Sequence, residues 1–355
     1  MSNKLMWVIK KIIHFILFSF FIVSCANIVM PSGGKKDTSP PTLISVTTKN
    51  NTINFIKKNV VFEFNENIVQ NNWSENFSIS PLSKEPINFK IKNKTLTLEL
   101  DNKLEKNTTY SINLDNCVKD LNEGNVLDNL RLSLSTGSYL DSLSIKGIVV
   151  DAFTLEPKAN INVFLQDFYD ADSVSFIKRP KYVTKTNNNG EFLMTNLNNN
   201  DFKIFCIDGI DYTYHEGDLI GFYKSKVNAS DSNNIELLMY NPIKKLTEKK
   251  DTLDINEIIN KTKIVLNCNI KEQLIIQLYK DKKLAKETIL ASAPYIIENL
   301  IPENYTLKVI VDKNKNRLWD SGNFSLNQLP EKVYIYNETI SVRENWTVEL
   351  DCFIN

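Results

Sequence analysis

The sequence predicts an all-β chain, built as tandem β-sandwiches behind an N-terminal signal segment. Apolar and polar residues alternate with a period of two in many short segments, as at residues 61–64 and 96–100. Clusters of Asn, Asp, Gly and Pro separate these segments, and no long stretch shows the 3.6-residue period of an amphipathic helix. Short alternating segments between turn residues are typical of sandwiches and barrels.

Composition limits the classes of function. The chain has 355 residues, of which 42% are hydrophobic, and 42 Lys+Arg balance 42 Asp+Glu. This length favours two or three domains, and the hydrophobic share is sufficient for packed cores. The formal net charge of zero argues against a nucleic-acid-binding protein, which normally carries a basic excess. The two His residues leave little room for His-based catalysis or His-rich metal sites.

Residues 1–24 have the organisation of a secretory signal. Three Lys residues precede an apolar run over residues 12–23, which is shorter than the roughly 20 residues of a membrane-spanning helix. The run ends in Ile-Val-Ser-Cys at residues 22–25, which resembles the bacterial lipobox. That resemblance implies cleavage before Cys25 and acylation of Cys25, and several acyl chains form a stable anchor. An uncleaved anchor with an incidental Cys is the alternative.

A lipidated Cys and flexible tether are predicted over residues 25–41. This segment is rich in Pro, Gly, Ser and Lys and has too few apolar groups to fold. Residue 26 is Ala, whereas an acidic residue there retains some bacterial lipoproteins in the inner membrane. We therefore expect anchoring at the outer membrane, with the periplasmic or surface face left open.

The first sandwich is predicted over residues 42–137, where three motifs follow in order. They are a Phe-x-Phe strand at residues 62–64, a Leu-x-x-x-Thr-x-Tyr element at 104–110 and an Asp-to-Gly-Asn turn at 120–125. The segment resembles the bacterial Ig-like domain family of surface-layer and cell-envelope proteins. The resemblance implies that Tyr110 closes a sheet corner. Asp120 suits a turn, because its short side chain bonds to nearby backbone.

The second sandwich is predicted over residues 143–240. Gly-x-Val-x-Asp at residues 147–151 and Thr-x-x-x-Gly-x-Phe at 186–192 flank a valine-containing strand near residue 163. This segment resembles the carboxypeptidase-regulatory-like, or transthyretin-like, seven-stranded sandwich. The resemblance implies a spacer domain without a peptidase site.

A polar linker over residues 241–261 separates this segment from a predicted third β-sandwich domain over residues 262–352. Leu-x-Pro-x-x-Tyr-x-Leu at residues 300–307 is similar to a pattern of small transthyretin-like sandwiches. Aspartates follow an apolar strand at corresponding points of the second and third segments. We therefore expect these two domains to be diverged copies of one another.

Four cysteines, Cys117, Cys206, Cys268 and Cys352, follow the signal segment and lipobox. Their spacings are wide and include no Cys-x-x-Cys, so a zinc site is not expected. Cys206 and Cys268 alternate with apolar neighbours, which predicts free thiols buried in strands. Oxidation to disulfides after export is the open alternative.

The strongest site-like motif is a loop with oxygen side chains at positions 1, 3, 5 and 9, namely Asp312, Asn314, Asn316 and Asp320. With the carbonyl of Leu318 at position 7, this spacing is similar to that of a calcium loop. Positions 6 and 12 hold Arg and Asn rather than the usual Gly and Glu. The alternatives are a structural calcium site and a polar hairpin loop with the neighbouring Trp packed beneath it. No other cofactor is predicted.

The sequence predicts no catalytic residues. It contains no P-loop, no Gly-x-Ser-x-Gly and no His-Glu-x-x-His, and His215 is expected to be solvated in a polar loop. A hydrolase would require carboxylates converging near residues 208–218 or 312–320. Aromatic residues cluster near residues 212–223 and 319–346, where core packing is expected. An exposed row of rings there would instead indicate glycan binding.

The whole chain resembles a Bacteroidetes-type family of Ig-like-domain lipoproteins. The resemblance rests on the lipobox, the Pro-x-Gly-Gly-x-Lys-Asp-x-x-Pro-Pro tether at residues 31–41, the sandwiches and the loop at 312–322. Location and fold then favour a non-enzymatic scaffold or interaction subunit for an outer-membrane protein or assembly complex. A surface glycan-binding lipoprotein is the alternative, and a hydrolase is a third hypothesis.

Overall fold

The structure is a computed structural model that describes residues 3–20, 36–169, 180–209, 213–215, 217–231, 234–242 and 261–352. These residues belong to two compact units, within residues 1–39 and 40–355. Helix α1 (Asn3–Phe20) lies in the first unit. No helix among the described residues is long and apolar enough to cross a membrane. Cys25 and the tether up to residue 35 lie outside the described residues.

The second unit confirms the predicted all-β class. Its strands form sheets that each lie within residues 42–137, 143–240 or 262–352, here called domains 1, 2 and 3. Each domain has its own apolar core, made by the inward-facing residues of alternating strands.

Domain 1 has antiparallel sheets with the strand orders β1-β2-β6-β5, β4-β7-β9 and β3-β8, and one helical turn, α2 (Trp73–Asn76). Its strands are β1 (Leu43–Val46), β2 (Asn59–Phe64), β3 (Ile68–Gln70), β4 (Ser78–Ser80), β5 (Asn88–Lys92), β6 (Thr95–Glu99), β7 (Thr109–Asn113), β8 (Val118–Asp120) and β9 (Arg131–Ser135). The predicted alternation is present: Phe62, Phe64, Leu96 and Leu98 point inward and are buried.

Two predicted structural roles in domain 1 are confirmed by hydrogen bonds. The Tyr110 hydroxyl is buried and accepts a bond from the Glu105 backbone N–H at 2.8 Å, which ties the start of β7 to the loop before it. The Asp120 carboxylate accepts three backbone N–H bonds of 2.5–3.0 Å from residues 123–125. Burial alone would raise the pKa of Asp120, but these bonds outweigh it and lower that pKa.

Domain 2 packs the sheet β13-β10-β17 against the sheet β12-β11-β14-β15, and β16 pairs with β14. Its strands are β10 (Leu143–Asp151), β11 (Asn162–Asp167), β12 (Tyr182–Lys185), β13 (Glu191–Leu197), β14 (Asp201–Asp208), β15 (Leu219–Phe222), β16 (Val227–Asn228) and β17 (Asn234–Met239). The first strand of the domain, β10, pairs in parallel with the last, β17.

Domain 3 has the sheets β21-β18-β24 and β20-β19-β22-β23. Its strands are β18 (Lys263–Cys268), β19 (Gln273–Lys280), β20 (Lys283–Leu290), β21 (Tyr295–Ile297), β22 (Asn304–Asp312), β23 (Val333–Ser341) and β24 (Thr347–Cys352). The strand order repeats that of domain 2, including the parallel pairing of first and last strands, β18 and β24. This agreement supports the expectation that the two domains are diverged copies.

A fourth apolar cluster, here called the junction core, connects domains 2 and 3. Its buried members are Ala152, Phe164, Val183, Phe205, Ile207, Ile220, Phe222 and Tyr240 from domain 2, and Ile275, Ile310 and Trp319 from domain 3. The members that lie on strands come from the faces of the sheets that point away from each domain's own core, because neighbours such as Cys206 and Val309 face inward.

Domains 1 and 2 meet through hydrogen bonds. The Leu82 backbone N–H donates to the Lys181 carbonyl at 2.9 Å, and the Val183 N–H donates to the Ser80 hydroxyl at 3.2 Å. Leu82 also packs against the junction core. The three domains are therefore in direct contact.

Candidate functional site

The predicted loop lies beside the junction core, between β22 and β23. We call residues 312–331 the junction loop. Trp319 in this loop is 9% exposed, its indole N–H donates to the Glu331 carbonyl at 2.9 Å, and its ring meets that of Phe153 in domain 2 edge-on, with 5.1 Å between centroids. The loop thus carries an aromatic anchor into the contact between two domains.

The first predicted ligand, Asp312, is fully buried at the end of β22. Its carboxylate accepts bonds from the backbone N–H of Asn316 at 3.1 Å and of Arg317 at 2.8 Å. It also accepts a bond from the Gln273 side-chain amide of β19 at 2.7 Å. These three bonds satisfy the buried carboxylate and fix the turn.

The remaining predicted ligands converge on Asp320. The side-chain amides of Asn314 and Asn316 both donate to one Asp320 carboxylate oxygen, at 2.6 and 2.7 Å. Their oxygens accept backbone N–H bonds, Asn314 from residue 316 at 3.0 Å and Asn316 from Leu318 at 2.8 Å. The structure therefore brings the four side chains together, as the spacing predicts, and amide N–H groups meet the Asp320 carboxylate.

Glu331 was missed by the sequence reasoning. It is 6% exposed, and its carboxylate accepts the backbone N–H of Lys313 at 2.7 Å and of Asp320 at 3.1 Å, which holds the two ends of the loop together. Burial raises the pKa of Glu331, the two backbone bonds oppose the rise, and the nearby Asp320 and Asp312 carboxylates add to it. A single Glu far along the chain has no spacing signal that would associate it with the loop.

The loop's geometry favours the polar-hairpin alternative. Trp319 packs beneath it, and the carboxylates of Asp312, Asp320 and Glu331 all accept protein hydrogen bonds. Within the described ranges, no group of three or more His, Cys, Asp and Glu side chains is arranged to hold a metal ion. The calcium alternative remains testable.

We expect removal of divalent cations with EDTA to leave the midpoint of thermal unfolding unchanged, because the loop's oxygens already have protein donors. The measurement is a thermal melt in EDTA and in millimolar Ca²⁺. Asp281→Asn, in the turn between β19 and β20, is the matched control for Asp320→Asn. A rise of several degrees with Ca²⁺ would contradict this expectation if Asp320→Asn removed the rise and Asp281→Asn retained it. That result would assign a cation to the loop.

The hydrolase hypothesis gains no geometric support from the residues described. The His215 side chain is 64% exposed, as expected, and its Nδ1 lies 3.5 Å from the Asp218 carboxylate. Residues 210–212 and 216 lie outside the described part of the chain. In the junction loop the carboxylates bind backbone and amide N–H groups.

The aromatic clusters mostly supply packing. Trp319 and Phe222 belong to the junction core, and Phe324 packs against it with its ring 5.2 Å from that of Phe222. Among the described residues of the two clusters, Tyr223 at 43% and Trp346 at 57% have exposed rings, and they lie in different domains. Tyr212 lies outside the described residues. These two rings lack the shared strand or turn that a sugar-binding row of the predicted kind requires.

The edge strand β1 exposes apolar side chains. It is the outer strand of its sheet, and Leu43 and Ile44 are 40% and 63% exposed. An edge strand offers unpaired backbone groups, and apolar side chains on it make it suited to pairing with another chain. The sequence pattern does not indicate this exposed surface, because residues 43–46 have the apolar composition of a core strand.

The cysteines divide into two classes. Cys117 and Cys206 are buried free thiols, as predicted for Cys206, and burial raises the pKa of Cys117 to about 12. Cys268, which was predicted to be buried, is only partly buried. Cys268 and Cys352 are also free but lie opposite each other on neighbouring strands. Their spacing along the sequence gave no sign of this contact.

Comparison with solved structures gives distant similarities only. The Bacillus anthracis TIE protein is 10% identical, with a TM-score of 0.20, and the alignment covers 91% of this chain and 59% of that one. The minor pilin GBS52 of Streptococcus agalactiae is 12% identical (60% and 95% covered, TM-score 0.20). A DUF3823 family protein from Bacteroides uniformis is 11% identical (58% and 99% covered, TM-score 0.18). The chain thus spans about three fifths of the length of the TIE protein.

Sequence comparison is informative for domain 1. No curated protein matches the chain. The family model described as bacterial Ig-like domain matches residues 37–136, nearly the whole predicted Ig-like segment. This match confirms the family resemblance of that segment, and membership of the whole chain in a Bacteroidetes-type lipoprotein family stays a prediction.

Proposed function

We propose that the chain is a non-enzymatic cell-envelope lipoprotein, anchored to the outer membrane through acylated Cys25, that acts as a scaffold or interaction subunit. Its partner is an outer-membrane protein or part of an envelope assembly complex. The junction core is the observation that carries this proposal, because its buried apolar contacts hold domains 2 and 3 together as one unit.

Docked domains suit a scaffold for a physical reason. Phe164 and Phe205 from domain 2 and Ile310 from domain 3 are 0–3% exposed, so separating the domains would expose large apolar side chains to water. Relative domain motion is the usual expectation unless the interface is hydrophobic. A stiff arm holds its binding surfaces at fixed positions, which lowers the entropy lost when a partner binds.

The surface best suited to the partner is β1 of domain 1. Ile44 is 63% exposed on this edge strand, and the strand's outer side is unpaired in the sheet described. A partner strand placed there would add backbone hydrogen bonds and cover Ile44 and Leu43. The Ig-like family match covers this strand.

The test is co-purification of the tagged full-length protein from membranes in mild detergent. We expect a stoichiometric outer-membrane or envelope protein in one sized complex, lost with Ile44→Lys and retained with Ile56→Lys. Ile56 is 91% exposed outside the strands and is a matched control. A lone monomer in membranes would contradict the scaffold and favour glycan binding. Mass spectrometry of the mature N-terminus should find acylated Cys25, and an intact signal segment in front of an unmodified Cys25 would contradict the lipid anchor.

A further inference from the structure

Two cysteines meet at the end of a parallel strand pair. Strands β18 and β24 pair in register, and Cys268 lies directly opposite Cys352 at the last position of both strands. Residues in register project to the same face of a sheet, and here both side chains contact the core of domain 3. Each cysteine lies close enough to the other to affect its pKa.

We propose that Cys268 and Cys352 are a disulfide-forming pair that links the first strand of domain 3 to its last. Neighbouring strands lie about 4.8 Å apart, within the 4.4–6.8 Å range of Cα separations that disulfides span. The bond therefore forms without movement of the backbone pairing. Cys117 and Cys206 belong to different domain cores and remain thiols.

One of the two sulfurs is accessible. Cys268 is partly exposed and lines an open groove of about 660 Å³ together with Asn269, Pro294, Tyr295 and Asp351, whereas Cys352 is 1% exposed. A disulfide reagent that enters the groove meets the sulfur of Cys268 first. Cys352 is then the resolving thiol.

The oxidant required is a disulfide, either of a thiol–disulfide oxidoreductase or of a small molecule. The Cys268 thiolate attacks one sulfur of that disulfide, forms a mixed disulfide and releases one thiol. The Cys352 thiolate then attacks the Cys268 sulfur and releases the second thiol. The protein loses two protons and two electrons, and the reagent's disulfide is reduced to two thiols. Burial raises the pKa of both cysteines, so exchange on the folded protein is slow.

The bond would secure the end of the described chain. Strand β24 pairs with β18 alone in its sheet, so it is an edge strand. A covalent link at its last residue prevents the strand from fraying, and a bond between the two ends of a domain restricts its unfolded state strongly. This role is structural and is compatible with a stiff scaffold.

In the test, the purified full-length protein is equilibrated in a buffer of oxidised and reduced glutathione. The protein is then denatured and its free thiols are alkylated. We expect a Cys268–Cys352 linked peptide by mass spectrometry, two hydrogens lighter than the reduced pair, with Cys117 and Cys206 alkylated as internal controls. Reduction of the wild type should lower its melting midpoint by several degrees, and Cys268→Ser should not respond to reductant. Equal alkylation of all four cysteines after equilibration with oxidised glutathione would overturn the proposal.

A second measurement separates this proposal from the proposed function. The proposal rests on the proposed function only for the compartment in which the protein is found. The same alkylation is applied to protein taken directly from cells. A linked pair there supports both the disulfide and an oxidising compartment. A pair that links in the glutathione buffer but is reduced in cells supports the disulfide chemistry and leaves the proposed function to the co-purification test.

Discussion

Replacing Trp319 with Ala is expected to lower the free energy of unfolding by about 3–5 kcal/mol, the usual cost of removing a buried large aromatic side chain. Trp319 is 9% exposed, contacts Phe153 of domain 2 and donates to the Glu331 carbonyl. Its removal leaves a cavity in the junction core and takes a donor from a buried carbonyl. Urea unfolding, followed with a probe in each of domains 2 and 3, gives the measurement.

The matched control for Trp319→Ala is Trp346→Ala in the same domain. Trp346 is 57% exposed, and the Arg343 guanidinium lies 5.2 Å from its ring centroid. We expect this change to cost less than about 1 kcal/mol, since exposed cation–π contacts are weak. Equal losses for the two variants would show that Trp319 does not join the domains in solution.

Replacing Gly147 with Ala should be at least as damaging within domain 2. A Cβ at this position would lie 2.0 Å from the Ile235 carbonyl oxygen and 2.7 Å from Cζ of Phe192. Gly147 lies in β10, between β13 and β17, so no flexible side chain can give way on the β17 side. We expect a loss of about 3 kcal/mol or more, measured by thermal or urea unfolding.

Gly124→Ala separates this steric effect from the cost of backbone conformation. Gly124 has φ of +82° and no heavy atom within 4 Å of the added Cβ. Its replacement should cost only the 1–2 kcal/mol or so of a left-handed backbone. If Gly147→Ala cost no more than Gly124→Ala, β10 and β17 would not be paired as closely as the structure shows.

Much of the fold was readable because strand alternation is a local signal. The two-residue period predicted the inward-facing Phe62 and Leu96, and the short side chain of Asp120 predicted its turn. The corner role of Tyr110 was implied by the family resemblance, which itself rests on short motifs. These features depend on residues within a few positions of one another. Local sequence is sufficient to specify them.

The junction core was harder to predict from the sequence, although the sequence contains a signal for it. Residues 204–207 and 274–276 are continuous apolar runs rather than alternating ones. Such runs indicate strands covered on both faces, and Phe205 and Ile275 indeed lie in the junction core. The runs show that a second face is covered. They do not show which element covers that face, because this depends on how whole domains dock.

The contacts of Glu331 and the Cys268–Cys352 pair had no comparable signal. Both depend on strand register and chain return over long sequence separations. A one-residue slip in β24 would place Cys352 on the opposite face. The proximity of Asn314, Asn316 and Asp320 follows from local Asx spacing, and their role as calcium ligands stays a prediction. The closure of the loop by Glu331 is tertiary.

The repeated strand order of domains 2 and 3 has a consequence for how these domains associate at the junction core. Phe164 and Phe205 lie on β11 and β14, and Ile275 and Ile310 lie on the corresponding strands β19 and β22. Two sandwiches of the same strand order thus meet through the same face, much as the subunits of an isologous homodimer do. Because a single chain carries both sandwiches, their association is intramolecular and does not weaken on dilution. A protein present at few copies per cell would keep this pairing complete.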